Sequence, residues 1–233
     1  MSAANMTDHR TPDTNATAAV RSLLDTPPEG RTDAWIARFY ASVPNAALQM
    51  EATVVFQAPD GFGYVRVRIP ERGVDFEAHS ISGLAMGCTE RGLGIVLNAH
   101  KGQPDWVFFY GALWSLRANG RFDGDGLESN SPPRETPGQR VMLAAPSEEL
   151  LPAFARPILR DYLQSAGVAE PRVVLMVDQA LGPSRNLVFN LHPEDFTDQA
   201  AFRSASNRLV WFLPPGLGFI TVPRGAFAIP HLL

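Results

Sequence analysis

The stretch from Arg91 to Phe122 constrains the fold of this chain more than any other. Gly92-Leu-Gly-Ile-Val-Leu-Asn and Trp106-Val-Phe-Phe-Tyr are short apolar runs, separated by Ala99-His-Lys-Gly-Gln-Pro-Asp. Short runs of β-branched and aromatic residues bounded by Gly and Pro read as buried strands. Helical spacing follows in Gly111-Ala-Leu-Trp-Ser-Leu-Arg, with Gly120 as its stop. Trp106 and Trp114 both fall here, and burying such rings is among the largest contributions a side chain makes to a core. The block marks the centre of a folded unit and carries no chemistry.

A chain of 233 residues suits one large domain or two ordinary ones. At that length roughly 70–75% of the unfolded surface is buried on folding, so no metal or disulfide staple is required. The single cysteine, Cys88, cannot form an internal disulfide and fits a reducing compartment. Met-Ser-Ala-Ala-Asn-Met-Thr-Asp at the start has no apolar core of signal-peptide type. No apolar run approaches the ~20 residues of a membrane-spanning helix. Cytoplasmic localisation is the expectation. A net charge of −4 gives no electrostatic reason to expect nucleic acid or an anionic membrane as partner. Nineteen arginines against Lys101 alone, with abundant Ala, Gly and Pro, suggest a GC-rich bacterial genome.

Residues 1–14 are polar, small and Pro-containing, and read as a disordered tail. Val20, Leu23 and Leu24 give a short helix. Thr32 is placed to cap a second one, with Trp35, Phe39 and Val43 on its buried face and Pro44 as its stop. The period then changes. Thr53-Val-Val-Phe, Tyr64-Val-Arg-Val-Arg-Ile and Val74-Asp-Phe-Glu-Ala-His read as strands, with hairpin punctuation at Asp60-Gly61 and Arg72-Gly73. Alternation puts Val65, Val67 and Ile69 on one face and Arg66 and Arg68 on a wet one. Ser80 to Glu90 fits either a short helix or an irregular loop.

Residues 124–139 have the composition of a linker, which separates a first α+β domain (15–123) from a second (140–233). In the second, Arg140 to Ala145 is a strand. Ser147 caps a helical region carrying Leu150, Phe154, Ile158 and Tyr162, with a break or kink expected near Pro157 and Gly167 ending the second piece. Strands follow at 172–177 and 186–191, joined by a turn at Leu181-Gly-Pro-Ser. A helix opens at Pro193 with Phe202, Ala205, Leu209 and Phe212 buried, and Phe219-Ile-Thr-Val is the last strand. The fold class is therefore α+β, with antiparallel or mixed sheets that pack helices on one face. The second domain runs β-α-β-β-α-β, the ferredoxin-like order. Ser80-Ile-Ser82 before Gly92-Leu-Gly and Ser204-Ala-Ser206 before Gly216-Leu-Gly share one spacing. Both a duplicated unit and coincidence account for it.

Some of these segments resemble the enhanced-serine-sensitivity B (SseB) family. They are Arg38-Phe39-Tyr40-Ala-Ser-Val-Pro44, Asp161-Tyr162-Leu163, the strand Val173-Val-Leu-Met-Val-Asp178 and Leu213-Pro-Pro-Gly216. The resemblance implies two α+β domains and a non-enzymatic bacterial cytoplasmic protein, and it brings no catalytic residues.

Standard catalytic signatures are missing: there is no Gly-x-Ser-x-Gly, phosphate loop, Cys-x-x-Cys or His-Glu-x-x-His. Gly92-x-Gly94 runs into a strand, the wrong context for a dinucleotide fingerprint. Cys88 with His79 and His100 is the candidate catalytic set, as a thiol nucleophile beside imidazole or as zinc ligands. Its rival is a buried structural cysteine. Asp123-Gly-Asp125-Gly-x-Glu128 has the wrong spacing for a calcium loop. His192 before Pro193 reads as a helix cap in preference to a base, and Ser184-Arg185 as an ordinary turn. Trp114, Arg117 and Arg121 share a helical face and, with Arg66 and Arg68, are candidates to receive an acidic partner or anion. The competing reading makes Trp114 a core anchor.

The expectation is a non-catalytic protein that works through protein–protein contacts, with homodimerisation as one form and neither metal nor cofactor. The alternative is a metabolite-binding protein or unrecognised enzyme with its site near Cys88, His79 and His100 or in an interdomain groove.

Overall fold

The computed structural model describes residues 11–122, 141–178, 185–225 and 229–233. The chain divides into two compact units, residues 1–122 and 123–233. Both are α+β, built on open mixed sheets.

The first unit opens with helices α1 (Thr14–Leu24) and α2 (Asp33–Ser42). Asp13 and Thr32 cap them, each accepting a backbone N–H from the first turn. Strands β1 (Gln49–Gln57) and β2 (Gly63–Arg68) form an antiparallel hairpin, in which Asp60 accepts from the Phe62 amide and Gly61 takes a positive φ. Helix α3 (Ile81–Glu90) resolves the ambiguous stretch, because Ser80 accepts from the Gly83 amide and starts it. It leads to β3 (Gly94–Leu97), which pairs parallel with β2. Strand β4 (Trp106–Phe108) closes the sheet, in order β1-β2-β3-β4, and α4 (Tyr110–Asn119) ends at Gly120 in the left-handed region.

One expected strand is not there. Residues 74–78 form no ladder, and only His79 pairs with Leu48. Val74 is exposed, so its alternation has no core to face. The core lies on the Val65/Val67 side of the sheet, against Ile95, Leu97 and Phe108, Val20 of α1, Trp35 and Phe39 of α2, and Ile81 and Ala85 of α3. Trp35 stacks on Phe39 at 4.9 Å, and Phe39 on Phe108 at 6.1 Å.

The second unit carries β5 (Val141–Ala144), α5 (Ala155–Ser165), β6 (Arg172–Asp178), β7 (Arg185–Phe189), α6 (Gln199–Phe212), β8 (Gly218–Thr221) and β9 (His231–Leu232). The β-α-β-β-α-β order is present. Its strands lie in the sheet in chain order, β5-β6-β7-β8, with only β7 and β8 parallel and β9 added beside β6. The break expected near Pro157 falls just before it: the segment from Glu148 to Phe154 is irregular and turn-rich, α5 begins at Ala155, and Pro157 sits in its first turn, where the amide has no helical acceptor to lose. Pro193 opens only a short 3-10 turn, and α6 starts later, with Asp198 accepting from the Ala201 amide. The turn at 181–184 and the linker at 124–139 lie outside the described residues. Tyr162 of α5 donates its hydroxyl to the Ala205 carbonyl of α6 and packs on Phe212 at 4.5 Å.

Candidate functional site

The alternation of β2 decides where charge can collect. Val65 and Val67 go to the core, which leaves Arg66 and Arg68 on the opposite face of the sheet. Each meets a partner on β1: Arg68 Nε donates to Gln49 Oε1 at 3.1 Å, and Arg66 Nη2 pairs with Glu51 Oε2 at 2.8 Å. The Arg66 guanidinium also lies 5.3 Å from the centre of the Phe56 ring.

Glu51 is the residue that sequence reasoning missed, and the reason is register. The pairs Gln57↔Gly63 and Phe56↔Tyr64, continued regularly, would set Glu51 across from Ile69 and aim it at the core. The ladder slips between Val55↔Val65 and Met50↔Val67, so residues 51–54 all lie opposite Arg66. That odd number of extra residues turns Glu51 to the charged face. The only sequence signal is a glutamate at the foot of an apolar run opposite alternating arginines.

The second oxygen of Glu51 meets His100, whose Nδ1 lies 3.2 Å from Oε1. His100 is carried there by the turn after β3. Asn98 adopts the left-handed conformation (φ 60), the one non-glycine residue with positive φ among those described. Asn is the side chain best suited to it. Its Oδ1 accepts from the Ile69 amide at 2.8 Å, and its Nδ2 donates to Asp105 Oδ2 at 2.6 Å, the same oxygen that Lys101 reaches. The result is a nine-tenths buried carboxylate, 10% exposed, held between an arginine and a histidine. One group remains unsatisfied: Arg66 Nε is shut off from solvent with no acceptor. Buried polar atoms without a partner are rare enough to call for an explanation.

Cys88 lies within α3, His79 just before it and His100 in the turn after β3. Among the described residues no group of three His, Cys, Asp or Glu side chains is placed to hold a metal ion. Cys88 lies in the core on the inner face of α3, only 3% exposed. Burial pushes its thiol up to about 12, opposed by the Arg91 charge, so it is a protonated small hydrophobe at neutral pH. His79 has its ring 3.5 Å from Glu77 and its backbone tied to Leu48.

Trp114 is 1% exposed and is a core anchor, and no arginine stacks on it among the described residues. Arg117 turns instead to α3. It donates to Thr89 Oγ1 at 2.8 Å and to the Met86 carbonyl, and lies 3.5 Å from Glu90. Arg121 is exposed just beyond α4. Arg117 and Arg66 thus serve separate carboxylates, Glu90 and Glu51, and Glu51 also meets His100. His192 does not cap a helix with its side chain. Its Nδ1 donates to the Val222 carbonyl at 2.7 Å, which clamps the chain after β8.

Among the described residues no helix is long and apolar enough to cross a membrane. Compared with known proteins, the chain matches no protein family, no curated protein and no solved structure.

Proposed function

We propose that this chain is a bacterial cytoplasmic binding protein, SseB-like in its two α+β units, that contacts an acidic protein partner through the charged sheet face of its first unit. The observation that carries this reading is the placement of Arg66 and Arg68 side by side on the face of β2 turned away from the core, both part-exposed. A strand face that keeps two part-exposed arginines beside a well-filled core offers them to what it meets from outside, since replacing a charge pair by apolar groups costs a fold little. The chemistry suits a carboxylate-bearing surface, because the guanidinium fork matches carboxylate geometry.

The test is chemical cross-linking and capture in cells, comparing wild type, Arg66→Glu/Arg68→Glu, and Arg203→Glu on the exposed side of α6. A partner that wild type and Arg203→Glu retain, that the double variant loses and that salt releases supports the assignment. Capture that ignores the two arginines removes this face from consideration.

A further inference from the structure

We infer that Arg66 and His100 form a carboxylate-binding cradle that the protein fills with its own Glu51, and that an acidic segment of a partner displaces this internal carboxylate. The inference rests on the proposed contact role of the same face and adds a mechanism of control to it.

Three features of the site point this way. Glu51 is divided between two cationic or proton-donating groups from different elements, Arg66 Nη2 at 2.8 Å and His100 Nδ1 at 3.2 Å. It therefore stands where an incoming carboxylate would be received. It engages only one limb of the guanidinium, however, and Arg66 Nε is left without an acceptor although solvent cannot reach it. A carboxylate that took Nε and Nη2 together would make the paired contact that Glu51 does not make. The resident group is thus a substitute whose geometry leaves room for a better ligand.

The third feature is the strand that delivers Glu51. β1 is an edge strand, and at Glu51–Val54 its ladder is broken by the register slip. Ala52, Thr53, Val54 and Val55 are exposed, so the side chains beside Glu51 are held by little burial. Segments with little buried contact open most readily. By contrast the receiving side is fixed: Arg66 sits between paired strands, and His100 is placed by the Asn98 turn with its two side-chain hydrogen bonds. The ligand chemistry is that of an extended acidic peptide, since the group that occupies the cradle is itself a carboxylate carried on an extended strand. While Glu51 is bound, the apparent affinity for an external acid is reduced by the fraction of molecules in which the cradle is open.

The experiment measures fluorescence anisotropy of a fluorescein-labelled peptide of alternating Glu and Gly at low salt, with full-length protein. Glu51→Ala is expected to bind it at least about tenfold more tightly than wild type, since it removes the intramolecular competitor. Adding Arg66→Gln to Glu51→Ala should abolish the gain. In wild type, peptide binding should speed hydrogen exchange of the amides at 51–55, which a purely structural ion pair would not do. Should Glu51→Ala melt, Glu51→Gln keeps the side-chain volume without the charge and should bind about threefold tighter than wild type. Equal binding by wild type and a folded Glu51 variant, or a gain that survives Arg66→Gln, overturns the internal-ligand assignment. If partner capture still requires Arg66 and Arg68 in that case, the contact surface stands and only the displaced carboxylate falls. If capture ignores them, both fall together.

Discussion

The two units are built on the same five elements and put them to opposite use. α2-β1-β2-α3-β3 in the first matches α5-β6-β7-α6-β8 in the second: a helix, an antiparallel hairpin, a second helix, and a strand parallel to the hairpin's second arm. The correspondence holds residue by residue. Tyr64 pairs with Gly94 as Asn186 pairs with Gly218, and Met50 with Val67 as Val173 with Phe189. Counting back from Gly92 and Gly216, buried Ile81, Ala85 and Cys88 of α3 fall at the places of buried Ala205, Leu209 and Phe212 of α6. The inner faces agree, Val65 and Val67 standing where Leu187 and Phe189 stand. The outer faces differ. Glu51 and Arg66 of the first unit occupy the places of Val174 and Val188 in the second, where a small apolar cluster is completed by Ile229. One scaffold thus yields a closed apolar face and a charged one. The units differ in what the shared scaffold leaves on its second face.

Exchanging these faces breaks the comparison most sharply. Val188→Arg places the first unit's charge against the apolar cluster of Val174, Met176, Ile220, Val222 and Ile229. An uncompensated buried charge should cost about 3–5 kcal/mol. The reverse exchange, Glu51→Val with Arg66→Val, replaces a charge pair by apolar groups and should change stability by less than about 1 kcal/mol while abolishing acidic-peptide binding. Urea unfolding of each variant, with unchanged slope, is the measurement. A tolerated Val188→Arg would mean that the second unit's outer face is open to water.

Elements without a counterpart sharpen the comparison next. Helix α4 follows β4 in the first unit, and nothing equivalent follows β8 among the described residues. If it is integral, as its burial from Tyr110 to Leu116 implies, Trp114→Ala should destabilise by roughly 3–5 kcal/mol. Near-wild-type unfolding would make α4 an appendage. Cys88 offers a probe of the shared helix, since Phe212 holds its place in α6. Its thiol is raised from the ordinary cysteine range to about 12, so the folded state holds a proton that the unfolded state releases earlier. That stabilisation is complete below about pH 9 and is lost as pH rises toward about 12, an effect of a few kcal/mol. Cys88→Ala should flatten this alkaline loss, and the wild-type thiol should react with a thiol reagent near neutral pH only on unfolding. Rapid reaction of the folded protein would contradict the burial.

Most elements were legible in the chain because their signals are local. Thr32 as cap, Asp60-Gly61 as turn, Gly120 as stop and the Val65/Arg66 alternation depend on neighbours a few residues away. Sheet order was not legible, since β-α-β-β-α-β is compatible with more than one set of strand neighbours. The strand expected at Val74 failed for the same reason, having a pattern without a partner. The site was half legible. Arg66 and Arg68 follow from period 2, whereas Glu51 and His100 arrive through a slipped ladder and a left-handed Asn98, and neither leaves a periodic trace. The Gly-x-Gly echo marked corresponding positions, and its serines fall at corresponding places with different roles. Ser80 caps α3, whereas Ser204 lies inside α6.

The paired glycines give the finest test of the correspondence. Gly94 and Gly218 open equivalent strands, and each lies against a side chain of the arm it pairs with. A methyl group at Gly94 would stand 2.7 Å from two ring carbons of Tyr64 and 2.8 Å from the Phe108 carbonyl oxygen. Neither can yield easily: the ring is buried with its hydroxyl bonded to Asp60, and the carbonyl belongs to β4. Gly94→Ala should therefore cost about 2 kcal/mol, in the range for overpacking a filled site. At Gly218 the obstacle is the tip of Asn186, a partly exposed side chain that can rotate away, and no backbone atom stands behind it. Gly218→Ala should cost less than about 1 kcal/mol. Equal costs would mean that the two strands meet the same constraint after all, and that the units differ only in the charge of their outer faces. The predicted inequality, read from paired urea titrations, instead shows the first unit packed tightly on both sides of the Gly-x-Gly strand. That packing is what a sheet needs if it is to hold Arg66 and His100 still while Glu51 comes and goes.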